Sequence, residues 1–178
     1  LKILIDLQGA QGFGSNRGIG KYSMNLSRSL AQDFGKELDL FFLLNFSAKE
    51  GLKDLLNEIS NFCPAKRVIS FFVPKGGNCY NKGWVAQAMI NKEVAIDHVS
   101  PDFIIHTSIF EPQDTILVPG FDPEDRYKHA TILYDLIPFL SPEIYLSSKQ
   151  KRCWYKESLE TLKKSDFIFT ISNYTRTK

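Results

Sequence analysis

Three observations in the sequence predict an α/β protein built on a Rossmann-like, doubly wound parallel sheet. The first segment, Lys2 to Leu7, is apolar on both alternating faces, as a strand is when helices cover both sides of its sheet. Segments of the same kind then alternate with stretches of helical period, and that alternation is what right-handed βαβ crossovers require. Between the first strand and the first helix lies a polar loop carrying Gly9, Gly12 and Gly14. In such sheets ligands sit beyond the C-terminal ends of the strands.

The elements are legible in order along the chain. From Gly18, the residues Ile19, Tyr22, Leu26, Leu30 and Phe34 recur at three- and four-residue spacing, which gives a helix with one apolar face ending near Gly35. Leu38 to Phe46 reads as a second strand, and Glu50 to Asn61 as a helix with Leu52, Leu55, Leu56 and Ile59 inward. Lys66 to Val73 is a third strand, closed by the Pro74 to Asn78 breaker. Trp84 to Ile96 suits a helix, and Pro101 introduces a short strand over Asp102 to His106. Glu111 to Asp125 is irregular, rich in proline and acids. Thr131 to Leu136 is a strand, Tyr145 to Lys164 contains a helix, and Asp166 to Ser172 is the last strand, with Ser172 or Asn173 able to cap a final helix. Function is expected in the loops after Leu7, His106, Leu136 and Ser172.

Composition narrows the function classes. A chain of 178 residues, 43% hydrophobic and 24% charged, is that of one soluble domain with a substantial core. The net charge of +2 gives no global field for a nucleic-acid partner. No apolar run approaches the roughly 20 residues of a membrane span, and no secretory layout is present. The expected location is the cytoplasm. Cys63, Cys79 and Cys153 form no CxxC pair, and His98, His106 and His129 form no close-spaced ligand motif, so neither a metal nor a disulfide framework is expected. The thiols read as mostly buried and reduced.

The glycine loop fits neither familiar phosphate motif. Gly18-x-Gly20 is followed by Ser23 rather than glycine, and it stands well beyond Leu7, whereas the dinucleotide fingerprint opens directly after the strand. Before Gly20-Lys21 stands Ser15, and after it Tyr22, which rules out a Walker loop. What remains is a glycine pair at a helix start, where unpaired N–H groups and the dipole favour an anion. Arg17 adds a positive charge beside it. The competing reading is that these glycines only shape a turn.

Arg17-Gly18-Ile19-Gly20-Lys21-Tyr22 resembles the Arg-Gly-Ile-Gly-Arg-Tyr segment of retaining glycosyltransferases of family 4, including the mannosyltransferases of bacterial O-antigen synthesis. Tyr134-Asp135-Leu136-Ile137-Pro138, followed by Pro142-Glu143 and Tyr145, is similar to that family's His-Asp-Leu-Ile-Pro and Pro-Glu-x-Tyr segments. Ser165-Asp166 through Ser172 and Arg176 is similar to its Ala-Asp strand ending in Ser-Glu-x-Thr-Arg. The resemblance implies the GT-B fold, with this chain as the N-terminal, acceptor-side domain over residues 1–178 and a donor-binding domain absent from it. It implies transfer of a sugar from a nucleotide diphosphate donor to a glycan or lipid-linked acceptor, without a cofactor or metal. A lipid-linked acceptor is compatible with peripheral association at the inner membrane face. By position, Gly18 and Gly20 would approach the donor diphosphate, Tyr22 would anchor the helix behind them, Asp135 would sit at the cleft floor, and Ser172 and Arg176 at its rim. Tyr134 stands where the family usually has His. A phenol titrating near 10 hydrogen-bonds a sugar hydroxyl but is a poor general base at neutral pH.

Other residues have two readings each. Asp6 either touches substrate or caps the glycine loop through backbone N–H groups. His106 either lines the acceptor cleft or is a buried, hydrogen-bonded imidazole. Trp154 and Tyr155 read as core, and Arg126, Lys128, Lys149, Lys151 and Arg152 as a solvated basic face. Two rival functions remain beside the transferase half: a complete small α/β module that binds a nucleotide or sugar, and a nicotinamide oxidoreductase domain.

Overall fold

A computed structural model describes residues 1–12, 15, 17–77, 81–110, 118 and 126–177. Gly14, Cys79 and all of the irregular stretch 111–125 except Val118 lie outside the described residues.

Six strands form one parallel sheet in the order β3-β2-β1-β4-β5-β6. They are β1 (Lys2–Asp6), β2 (Asp39–Asn45), β3 (Val68–Phe71), β4 (Phe103–His106), β5 (Lys128–Leu133) and β6 (Phe167–Thr170). The helices are α1 (Gly18–Phe34), α2 (Leu52–Ser60), α3 (Lys82–Val99), the single turns α4 (Ile137–Leu140) and α5 (Pro142–Tyr145), then α6 (Lys149–Leu162) and α7 (Asn173–Arg176). Chain order reverses between β1 and β4, whose registers pair Asp6 with His106. That switch point is where an open α/β sheet leaves a crevice beyond its strand ends.

The two-sided apolar strands place a core on each face. Ile3, Ile5 and Leu7 join Leu40, Phe42 and Leu44 under Met24, Leu55 and Ile59. On the other face Leu4, Leu43 and Ile104 pack against Trp84, Ala88, Ile96 and Val99 of α3. Trp84 is held at both ends: its backbone N–H donates to the Asn81 side chain at 3.1 Å, and its indole Nε1–H to Pro74 O at 2.7 Å. A Cβ on Gly77 would overlap this indole, so only glycine lets the loop pass so close.

Several boundaries differ from the sequence reading. The fifth strand begins and ends three residues earlier than Thr131 to Leu136, because its parallel ladder pairs Lys128 with Phe103 and Thr131 with His106. Tyr134, Asp135 and Leu136 therefore belong to the loop at the C-terminal edge. There the Asp135 carboxylate accepts from Ile137 N at 2.9 Å and starts α4, a local bond that draws the backbone out of the ladder. On α1 the buried stripe is Gly20, Ser23, Met24 and Ser27, while Tyr22 is 42% and Phe34 46% exposed. The apolar stripe read from the sequence is offset from the face that packs, because small residues let the helix lie close to the sheet. Ser23 and Ser27 satisfy their buried hydroxyls on the carbonyls of Ile19 and Ser23, both at 2.8 Å.

Candidate functional site

At the C-terminal edge of the sheet lies a cavity of about 420 Å³. Its walls come from Ile19 at the start of α1, Ser108 and Phe110 beyond β4, and Tyr134 and Asp135 beyond β5. Its far side is Tyr145, Leu146, Lys151, Trp154 and Tyr155, from α5 to α6. A smaller space of about 270 Å³ adjoins it, also touching Tyr134 and Asp135 and reaching Ser172 and Thr175. Both stand where the fold predicts a ligand, and the lining mixes aromatic faces with a carboxylate and an ammonium.

The glycine pair opens α1 as expected. Arg17 is the N-cap with extended backbone and makes no side-chain capping bond, and no acidic residue occupies the first turn. The Arg17 side chain thus offers these first N–H groups no acceptor, and a first turn without an acidic residue leaves the positive end of the dipole uncompensated from within the helix. A Cβ at Gly18 would meet nothing within 4 Å, so this side of the turn is open. Gly20 is buried in the helix stripe. Arg17 is exposed.

Tyr134 ties the strand edge to this helix. Its hydroxyl lies 3.3 Å from Ser23 Oγ, and its ring meets Tyr22 edge-on at 5.6 Å. Tyr22 is exposed, and its ring is the outer partner of Tyr134. Asp135 is exposed and borders both spaces. Ser172 borders the smaller one, but its hydroxyl accepts from Thr175 N at 3.1 Å and so caps α7. Arg176 is exposed and lines neither space.

His106 is placed at the functional edge yet does not line the cavity. It is 1% exposed, with Nε2 at 3.0 Å from His129 Nδ1 and Nδ1 at 3.5 Å from Asp6 Oδ2. The side chain faces inward because β1 and β4 pair Asp6 with His106 directly. Lys92 of α3, 3% exposed, reaches the same carboxylate at 2.6 Å and the carbonyl of Val118 at 3.2 Å. Asp6 also accepts from Gln8 N at 3.2 Å, so it does cap the first turn of the loop while serving as counter-ion. Sequence reasoning missed Lys92 and His129. A lysine inside an apolar helical run was the available signal, since such residues are buried only when paired.

Two glutamines complete this frame. Gln11 exchanges both hydrogen bonds with the backbone of Asn45, at 2.8 and 2.9 Å. Gln8 does the same with Val118, at 2.9 and 3.2 Å. Each amide acts as one more rung beyond the strand end, fixing the loop that leads to α1.

Burial alone would raise the Asp6 pKa, but the charge of Lys92 and the bond from His106 outweigh it and hold the carboxyl below its ordinary range. Burial pushes the His106 pKa below its ordinary 6.5, only partly countered by Asp6. The unfolded chain therefore binds a proton at His106 that the folded chain resists. Stability should be full above about pH 6.5 and fall as the pH drops below it, with Asp6 adding a second loss below its ordinary 3.8. Urea unfolding from about pH 8 to about pH 5 checks the first step; His106→Asn should flatten it, and an unchanged slope would assign the loss elsewhere.

The basic residues are largely spoken for. Arg126 pairs with Asp97 at 3.0 Å and Lys128 with Asp166 at 2.7 Å, and Arg152 donates to Leu146 O at 2.8 Å. Lys151 instead lines the cavity. Tyr155 is buried as expected, while Trp154 is half-buried and both border the cavity. Of the thiols, Cys63 is buried but Cys153 is exposed, because it falls on the outer face of α6.

Among the described residues no helix is long and apolar enough to cross a membrane. No protein-family model matches the chain, and no solved structure matches it. Curated proteins do. The chain is 29% identical over 184 aligned residues to a serotype-specific mannosyltransferase, WbdA, of Escherichia coli, covering 97% of this chain and 21% of that protein. Two further WbdA sequences from E. coli match at 32% and 30% identity over 53% and 52% of the chain. The chain thus spans about a fifth of the length of the first of these relatives. A six-stranded parallel Rossmann-like sheet and a likeness along nearly its whole length to part of a mannosyltransferase together agree with the N-terminal domain of a GT-B glycosyltransferase.

Proposed function

We propose that this chain is the acceptor-side domain of a retaining glycosyltransferase of family 4. In this reading a sugar, mannose by the likeness to WbdA, moves without a metal ion from a nucleotide diphosphate donor to a glycan or lipid-linked acceptor in O-antigen synthesis. A donor-binding domain would complete the cleft, and the greater length of the relative leaves room for one. The observation that carries the reading is the cavity bounded on one side by Ile19, in the first turn of α1 just after Arg17 and Gly18, and on the other by Tyr134 and Asp135.

The parts divide the work by their chemistry. The first N–H groups of α1, with Arg17 beside them, would stabilise negative charge building on the leaving diphosphate. Asp135 accepts hydrogen bonds from a sugar hydroxyl, and Tyr134 sets the distance between helix and strand edge. Work at a cytoplasmic membrane face would suit the exposed apolar side chains Ile137, Phe139, Leu140 and Ile144 next to the cavity.

A screen of the enzyme containing this domain against GDP-mannose and other nucleotide sugars tests the reaction class. Absence of transfer from every donor would overturn the reading in favour of a binding module. Gly18→Val tests the helix terminus: the site is exposed and open, so melting should move by no more than the roughly 0.5 kcal/mol of a β-branched residue in a helix. Bulk at the phosphate approach should lower kcat/KM by about tenfold or more, the effect of about 1.4 kcal/mol. Equal turnover in the variant removes the anion site.

A further inference from the structure

We propose that the hydroxyl of Tyr155 is held without a partner in the free protein so that it can take a hydroxyl of the acceptor saccharide, whose ring is seated against Trp154. The inference rests on the transferase reading and names the recognising groups within the cavity.

Tyr155 is 4% exposed and borders the cavity, yet its buried hydroxyl has no hydrogen-bond partner among the described residues. The Phe139 N–H points toward the phenol and pulls its pKa slightly down, but it forms no hydrogen bond of ordinary geometry there and is engaged with Leu136 O at 3.0 Å. A buried hydroxyl left in this state costs free energy that a phenylalanine would not, and most buried polar groups avoid it. The ring itself is well packed, with Phe110 at 5.1 Å and Trp154 edge-on at 6.2 Å between centroids. Its orientation is therefore fixed, and the missing element is a polar partner.

The surroundings define that partner. Burial, then the Asp135 charge, push the phenol up to about 12, so it works as a neutral donor and acceptor. Asp135 offers a second acceptor and Lys151 a donor on the same cavity. Trp154 supplies a broad, half-buried apolar face. An apolar ring face together with a rim of hydroxyls is the chemistry of a pyranose. At this end of the cavity, away from α1, a nucleotide diphosphate would bring two or more negative charges against Asp135.

The 178-residue chain contains two tryptophans, and Trp84 is buried in the core between α3 and the sheet, away from the cavity lining. Trp84→Phe thus leaves Trp154 as the fluorescent reporter, to be titrated with methyl α-mannoside, an α-linked mannobiose and GDP. Mannobiose should shift the Trp154 emission saturably with a dissociation constant on the order of millimolar. Tyr155→Phe should weaken it about fivefold, the effect of one neutral hydrogen bond, while its Tm stays level or rises. That opposition of signs separates a ligand-directed hydroxyl from a structural one. If Trp84→Phe does not fold, the two-tryptophan chain against Trp154→Phe carries the same comparison.

No response to saccharide up to about 50 mM, a response to GDP alone, equal affinity in Tyr155→Phe, or a Tm lowered by that change would each overturn the proposal. Its failure is distinct from failure of the transferase reading. An active enzyme whose Tyr155→Phe variant keeps its acceptor KM removes the subsite and leaves the reaction. A chain with this binding pattern but no transfer from any donor removes the reaction and leaves the subsite.

Discussion

Lys92→Met should destabilise the chain by about 3–5 kcal/mol, the usual cost of stripping one partner from a buried ion pair. In a protein of this length that corresponds to a Tm lower by roughly 10 °C. The cause is Asp6, which is 3% exposed and among the described residues would keep His106 and Gln8 against its charge. Methionine keeps most of the lysine stem's volume, so the loss would report charge rather than a cavity. Adding Asp6→Asn should recover much of it, because removing both charges of a buried pair is close to neutral where removing one is not. Denaturant unfolding of the two single variants and the double checks this, and equal loss in Lys92→Met and the double variant would show that packing dominates.

Asp135→Asn should lower kcat/KM of the enzyme about 10- to 100-fold, the scale of a charge-assisted hydrogen bond to substrate of about 1.5–3 kcal/mol. The amide oxygen can still accept from Ile137 N, as the carboxylate does at 2.9 Å, so Tm should change little. Asp135→Ala removes both functions. It should lose a similar factor in rate and also about 1 kcal/mol of stability with the hydrogen bond from Ile137 N. If the asparagine variant is as stable and as active as the parent, Asp135 only starts α4.

The two-sided apolar pattern of β1 and β2 was legible because burial on both faces leaves almost no polar residue in a strand. The glycine start of α1 was legible because backbone and dipole set that chemistry locally. Tyr134 and Asp135, to which the family resemblance pointed, border the cavity. Edges fared worse: the end of β5 at Leu133 is set by pairing with β4, a contact between residues far apart in the chain.

What the sequence by itself determined is the α/β class, the order of its elements and the edge of the sheet at which the cavity opens, since periodicity and glycine placement are local properties. Only the tertiary structure decided the side-chain partnerships. Lys92 meets Asp6 because α3 crosses the face that Leu4 and Asp6 share. His106 turns inward because β1 and β4 lie in register. The Tyr155 hydroxyl is left unmatched because α6 is held against Phe110 and the β5 edge. Such pairings depend on which distant residues the crossovers bring within about 3 Å, and no local pattern encodes that distance.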